Sequence, residues 1–361
     1  MLEGIRIVEF EGIGPGPFAA MMLADLGAEV ICVQRPGGPP LPGAPARNPL
    51  DRGKRVIALD LKSAADRPVV EALIARADAL IEGNRPGVME RLRLGPAEAR
   101  ALNPRLTYGR MTGWGQDGPR AVQAGHDLNY AGLSGALWYA SPPGQPPVTP
   151  PTLVGDIGGG ALYLVVGLLS GIIAAARTGK GPVVDAAIVD GSAHMMALVM
   201  AMYAGGQFQD RRGASMLDGP HWSRSYRCAD GGHVAVQCLE PKFYAEFLAL
   251  MQLTDDPDFA RQNDPSGWPR ATERLAALFG AQPRAHWAAL FARSDACVAP
   301  VLSPSEVESD PHLSARGTWM RAEGALMPRP APRFDGRRVD PGPAPARDAH
   351  RAQILAELGL A

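Results

Sequence analysis

The first 33 residues read as a strand, a glycine-rich turn, a helix and a second strand, and that order commits the chain to a parallel sheet. Residues 5–10 are an apolar run short enough for a buried strand. Gly12-Ile13-Gly14-Pro15-Gly16 then turns into a helix over 18–26, closed by Gly27, and residues 29–33 form the next strand. Two parallel strands need a crossover, so the opening is a Rossmann-like βαβ unit. The alternation continues with strand 55–59, helix 64–77, strand 79–82, helix 87–92 and strand 106–111. The predicted class is α/β, with residues 1–187 forming a large Rossmann-like domain.

Beyond that point the pattern changes. A Met-rich helix over 190–203 leads away within a linker spanning 188–221. Residues 225–239 predict a hairpin around Ala229-Asp230-Gly231-Gly232, followed by helices at 242–253, 271–279 and 284–292. Residues 222–310 are therefore expected as a small α+β domain, and 311–361 as a C-terminal strap returning to the large domain. Its stretch 328–345 is rich in Pro and Arg, which favours an extended path. Residues 157–176 carry no charge over a length that spans a bilayer. Five glycines in that stretch and the lack of flanking aromatic belts favour a buried central helix over a membrane span.

A formal charge of −1 argues against a nucleic-acid surface and leaves small-molecule chemistry as the default. Only four of the 36 basic residues are lysines, so the positive charge is almost entirely guanidinium, which suits phosphate. Cys32, Cys228, Cys238 and Cys297 form no C-x-x-C pair, so neither a metal site nor a disulfide framework is expected. A reducing cytoplasm fits that usage, and residues 1–10 do not have the pattern of a signal peptide.

The Gly12–Gly16 turn matches a dinucleotide fingerprint poorly, because its spacing is G-x-G-x-G and a proline interrupts it. The second strand ends in Gln34-Arg35 where a ribose 2′-hydroxyl would call for an acid. An arginine there favours a ribose that carries a phosphate, as in NADP or in the 3′-phospho-ADP of coenzyme A. Further cations follow other strand ends: Lys62 behind Leu59-Asp60-Leu61, Arg85 in Gly83-Asn84-Arg85-Pro86-Gly87, and Arg91. Such ends border the crevice of an open α/β sheet. His126 stands in Gly125-His126-Asp127-Leu128-Asn129-Tyr130, among helix-capping residues that place it at a helix N-terminus. There, backbone N–H groups favour a neutral imidazole. Asp156 precedes Ile157-Gly158-Gly159-Gly160 and reads as an N-cap beside an apolar segment, where a carboxyl pKa rises.

These motifs, together with Leu23-Ala24-Asp25-Leu26-Gly27-Ala28, Arg110-Met111-Thr112-Gly113-Trp114-Gly115-Gln116 and Val184-Asp185-Ala186-Ala187, make the whole chain resemble the α-methylacyl-CoA racemases of the family III CoA-transferase (CaiB-BaiF) group. The resemblance implies that His126 and Asp156 exchange protons with the substrate α-carbon and that Glu240 hydrogen-bonds the histidine. It places coenzyme A against Arg35, Leu59, Asp60, Leu61, Lys62, Gly83, Asn84, Arg85 and Arg91. Gly125, Asp127, Leu128, Asn129 and Tyr130 complete the expected substrate-binding set. It also implies an interlocked homodimer whose active site lies between one subunit's large domain and the other's small domain. The resemblance breaks at Gly219-Pro220-His221-Trp222, where such relatives carry more residues and a pair of tyrosines. The expected activity is interconversion of 2-methylacyl-CoA epimers without metal or redox cofactor, coenzyme A being part of the substrate. The alternatives are a CoA-transferase that uses Asp156 as nucleophile and an NADP-dependent reductase.

Overall fold

The computed structural model describes residues 1–37 and 47–361. Strand β1 (Arg6–Phe10), helix α1 (Pro15–Asp25), β2 (Glu29–Gln34), β3 (Arg55–Ala58), α2 (Arg67–Ala75) and β4 (Ala79–Glu82) follow in the expected order. Helices α3 (Val88–Arg91) and α4 (Pro96–Leu102), strand β5 (Thr107–Thr112) and helix α5 (Asp127–Leu133) come next. A π-helical segment, Leu153–Ala161, then runs directly into α6 (Leu162–Thr178), followed by β6 (Val183–Ala187) and α7 (Ile188–Met195). The six strands pair in parallel in the order β3-β2-β1-β4-β5-β6. Alternate residues feed two cores, as the period of a strand requires. Val8, Ile31, Ile57 and Leu80 pack with α2 on one face, and Ile7, Val30, Ala79 and Ile81 pack with α1 and α6 on the other. Coverage of both faces explains why these strands are apolar runs and not alternating ones.

Two buried carboxylates lie within those strands, and each has a buried counter-ion. Glu9 in β1 accepts a 2.6 Å hydrogen bond from Lys54 Nζ, which also donates to the Pro17 carbonyl at 3.2 Å. Glu82 at the end of β4 accepts from Arg110 Nε at 2.9 Å, and its other oxygen accepts the Asn84 N–H at 2.7 Å. Burial raises both carboxyl pKa values, against the pull of the neighbouring cation.

The remaining elements are α8 (Ala197–Ala204), β7 (Ser223–Arg227), β8 (His233–Gln237), α9 (Pro241–Leu250), α10 (Trp268–Phe279), α11 (Arg284–Phe291), β9 (Val298–Val301), α12 (Pro311–Arg316), β10 (Trp319–Ala322), β11 (Ala325–Pro328) and α13 (Arg351–Leu358). Strands β7, β8 and β9 form an antiparallel sheet on whose inner face Trp222, Tyr226, Val234 and Val236 meet Phe247, Leu275 and Phe279. The chain divides into two compact units, residues 1–137, 149–196 and 328–361 in one and residues 138–148 and 197–327 in the other.

Several boundaries differ from those read off the sequence. The Met-rich helix is two helices, and α7 belongs to the larger unit, not to a linker. The Gly159 and Gly191 backbones touch there, so a Cβ on Gly191 would stand 1.9 Å from the Gly159 carbonyl oxygen. Residues 138–148 join the smaller unit because Trp138 Nε1 donates to the Asp210 carbonyl at 2.9 Å and Arg212 donates to the carbonyls of Ala140 and Ser141. Residues 311–327 also lie there, and the return to the larger unit begins at Pro328. The extended strap holds to Gly53, whose N–H donates to the Pro343 carbonyl, and ends in α13, whose Ile354 and Leu358 enter the core beside α2. The charge-free helix is not buried all round. Leu164, Val165 and Leu168 of α6 are covered, whereas Val166 is 63% and Ile173 61% exposed. Together with the π-helical segment it is the one helix among the described residues long and apolar enough to cross a membrane.

The departure at Gly219–Trp222 is a core feature of the smaller unit. His221 is buried, with Nε2 2.7 Å from Tyr244 Oη and its ring edge-on to Phe259. Burial, and secondarily Arg224, lowers its pKa to about 4 from 6.5. Between these values the unfolded chain takes up a proton that the folded one refuses. The contribution is therefore fully present above pH 6.5 and is lost as pH falls toward 4. Urea midpoints at pH 7.5 and 4.5 should show wild type losing roughly 2–3 kcal/mol more than His221→Phe over that interval. Equal losses in the two proteins would contradict a buried neutral histidine.

Candidate active site

A parallel sheet whose strand order reverses leaves a crevice where the two connections diverge, here beyond the carboxyl ends of β1 and β4. A cavity of about 460 Å³ lies there, walled by Phe10 and Gly12–Pro17 after β1, by Gly83, Asn84 and Arg85 after β4, and by Met111–Trp114 after β5. His126 and Asp156 both face it. The Gly12–Pro17 turn thus forms one wall of this cavity. Gly14 has φ 72°, and a Cβ there would lie 3.8 Å from Asp156 Oδ2, so only glycine meets the turn without strain.

The two functional groups are held by one connected set of bonds. His126 is the N-cap of α5, its N–H donating to Asn129 Oδ1 at 3.0 Å. The next residue, Asp127, is buried, and its Oδ1 accepts the N–H groups of Gly155 and Asp156 at 2.9 and 3.0 Å. Asp127 therefore ties the helix that starts at His126 to the backbone that carries Asp156. Asp156 is not the N-cap expected from the sequence. It sits within the π-helical segment, where the Ile157 N–H bonds the Thr152 carbonyl five residues back. The glycines that made a helix start plausible serve instead for the close crossing of α7. Half-burial raises the Asp156 pKa, the Asp127 carboxylate raises it further, and His126 opposes both.

The other expected residues divide. Gly125 and Tyr130 line the cavity, with Tyr130 Oη donating to the Gly125 carbonyl and its ring edge-on to Trp114 at 4.7 Å. Asp127, Leu128 and Asn129 do not line it. Asp127 and Asn129 are spent on backbone bonds, and Leu128 is exposed. Arg35, Leu59, Asp60, Leu61, Lys62, Asn84 and Arg91 come together around a second cavity of about 860 Å³. Asn84 lines both cavities. Glu240 lies in the smaller unit, exposed at the start of α9, where its side chain makes no cap bond.

Trp114, quoted above only as part of a motif and given no role, also lines the first cavity, as does Gln123, which no motif included. Arg120 stacks on Trp114 at 5.4 Å, so an Arg-x-x-Gln pair following a Trp was the signal available. Among the described residues no three His, Cys, Asp or Glu side chains converge as metal ligands.

The α-methylacyl-CoA racemase of Mus musculus is 37% identical to this chain over 367 residues, covering 100% of this chain and 94% of that protein. The α-methylacyl-CoA racemase of Homo sapiens is 38% identical over 364 residues, covering 99% and 94%. The crystal structure of a CAIB/BAIF family protein from Brucella suis superposes with a TM-score of 0.82 at 28% identity, covering 99% of each chain. The family described as CoA-transferase family III matches residues 2–351, and the chain belongs to that family.

Proposed function

We propose that this protein is an α-methylacyl-CoA racemase, an isomerase that interconverts (R)- and (S)-2-methylacyl-CoA by moving the C2 proton from one face to the other. The observation that carries this reading is an imidazole and a carboxyl of raised pKa facing one cavity, beside a cleft lined with cations. A thioester α-proton is weakly acidic, so its removal requires a base in contact and donors at the developing enolate oxygen. Neutral His126 takes the proton from C2 of one epimer, and the C–H electron pair passes to the thioester oxygen. The Asp156 O–H then delivers its proton to the opposite face of C2. This leaves His126 protonated and Asp156 ionised, the state from which the reverse conversion starts, or from which exchange with solvent resets the pair.

The nucleotide end of coenzyme A occupies the cleft of Arg35, Lys62 and Arg91, and the pantetheine arm passes Asn84 and Arg85 into the first cavity. That remote binding energy positions the α-carbon, and the reading requires no other cofactor. The working unit is an interlocked homodimer in which Glu240 of the partner subunit hydrogen-bonds His126. Its support is uncovered apolar surface: α8 buries no residue, Leu198 is 70% exposed, and α6 leaves Val166 and Ile173 outward. The same apolar helix is then an interface element of a soluble, cytoplasmic enzyme that neither spans a membrane nor binds nucleic acid.

In D2O, wild-type enzyme should place deuterium at C2 of either epimer as it racemises, with no acyl acceptor present. His126→Ala and Asp156→Ala should each lose at least about a hundredfold in racemisation, with residual exchange favouring opposite epimers in the two variants. An enzyme that leaves C2 unlabelled while moving coenzyme A to a free carboxylate would be a transferase acting through an Asp156 anhydride. Arg35→Ala and Arg91→Ala should raise KM for acyl-CoA far more than they lower kcat, and unchanged KM in both would remove the nucleotide assignment. In sedimentation the active species should be a dimer, and a fully active monomer would contradict the shared site.

A further inference from the structure

The cleft assigned to the nucleotide contains a residue whose main chain is held from both sides by groups remote in sequence. The N–H of Arg35 donates to Glu11 Oε2 at 2.8 Å, and its carbonyl accepts from an Arg347 guanidinium nitrogen at 2.7 Å. Glu11 and Arg347 are themselves joined by two hydrogen bonds, Arg347 to Oε1 at 2.6 Å and to Oε2 at 3.1 Å. The result is a closed ring: Glu11 to the Arg35 N–H, across the Arg35 peptide groups, to Arg347 and back to Glu11. Burial raises the Glu11 pKa, but Arg347 and the Arg35 N–H outweigh it and hold the carboxylate ionised at neutral pH. The neighbouring strap residue continues the arrangement. The Asp348 N–H donates to Gln34 Oε1 at 3.1 Å, and Asp348 Oδ1 accepts the Ala58 N–H at 2.7 Å. The strap thus grips the chain where β2 and β3 end, beside Arg35 and Leu59–Lys62.

We propose that Arg347 and Glu11 are positioning residues for the nucleotide end of the substrate, fixing the Arg35 backbone so that its side chain meets the phosphate borne on the ribose. The inference rests on the coenzyme A reading above. Arg35 leaves β2 at an exposed position, and one rotated peptide would swing its guanidinium out of the cleft. The Arg347 guanidinium is already engaged by Glu11 and a carbonyl, so it acts through geometry and not as a further phosphate ligand. The final segment of the chain is in this way part of substrate recognition.

The probe is adenosine 3′,5′-bisphosphate, with adenosine 5′-monophosphate, which has no 3′-phosphate, as control; both are titrated calorimetrically into the full-length protein. Arg347→Met should weaken bisphosphate binding about tenfold, the order expected for a charge-assisted hydrogen bond, and leave monophosphate binding unchanged, which also reports an intact fold. Glu11→Gln, which keeps an acceptor for the Arg35 N–H, should weaken the bisphosphate alone by a smaller factor. Should Arg347→Met not fold, this variant carries the test. In an Arg35→Ala background, Arg347→Met should add little, because its effect passes through Arg35. Fully additive losses would make Arg347 a direct phosphate ligand and overturn the inference, as would a variant weakened equally for both nucleotides. If Arg35→Ala weakens bisphosphate binding while Arg347→Met and Glu11→Gln do not, the inference fails alone. If Arg35→Ala also has no effect, the nucleotide site itself is wrong.

Discussion

The reversal of strand order between β1 and β4 is the constraint on which the rest of the structure depends. Strands β2 and β3 are added on one side of β1, and β5 and β6 on the far side of β4, so the connections after β1 and β4 turn away from each other. Backbone cannot fill the gap between them, and the carboxyl ends of both strands border it. The first cavity occupies that gap, and the second lies past the ends of β2 and β3, with Asn84 lining both. A substrate with a reactive acyl group at one end and a phosphorylated nucleotide at the other matches two neighbouring cavities of that kind.

An open crevice in a close-packed domain requires walls that do not collapse. Two buried ion pairs supply them. Lys54 neutralises Glu9 and holds the Pro17 carbonyl of the first wall, while Arg110 neutralises Glu82, whose second oxygen holds the Asn84 N–H of the other. Burying such charges costs several kcal/mol per ion before pairing, so these pairs are poor devices for stability alone. Their geometry is the better account of their presence, since each fixes a loop that the packing of apolar side chains leaves free. Asp127 does the same between the two candidate proton-transfer groups, and Glu11 with Arg347 does it at the nucleotide end.

The environment of each reacting group follows from its local backbone. His126 stands at a helix start, as the N-cap of α5, beside the cavity. Asp156 sits half-buried near another carboxylate, which favours its neutral form. The proposed racemisation assigns the accepting role to His126 and the donating role to Asp156, since inversion at a single carbon requires one group on each face.

Much of this was legible along the chain, and the division has a physical basis. Strand and helix periodicity, with glycines marking the turns, identified the βαβ opening, five of the parallel strands and the hairpin of the smaller unit, because backbone geometry and side-chain alternation are local properties. Arg35 and Lys62 were legible for the same reason, because each follows a strand end and strand ends line a crevice, and Arg91 lies one helical turn beyond the segment after β4. His126 and Asp156 stood out through their neighbours and a family resemblance. The π-helical setting of Asp156 did not, since Ile157–Ala161 has the composition of an ordinary helix start and only the crossing of Gly191 over Gly159 requires otherwise. Neither did the use of Asp127 as a tie, the place of α7 or the ring of Glu11, Arg35 and Arg347, whose ends are 336 residues apart. The sequence by itself determined which segments could be strands and which charges stand at their ends, because those depend on a few adjacent residues. Only the tertiary structure decided which charges meet, because a hydrogen bond of 2.6 Å between Glu11 and Arg347 depends on how the whole chain between them folds.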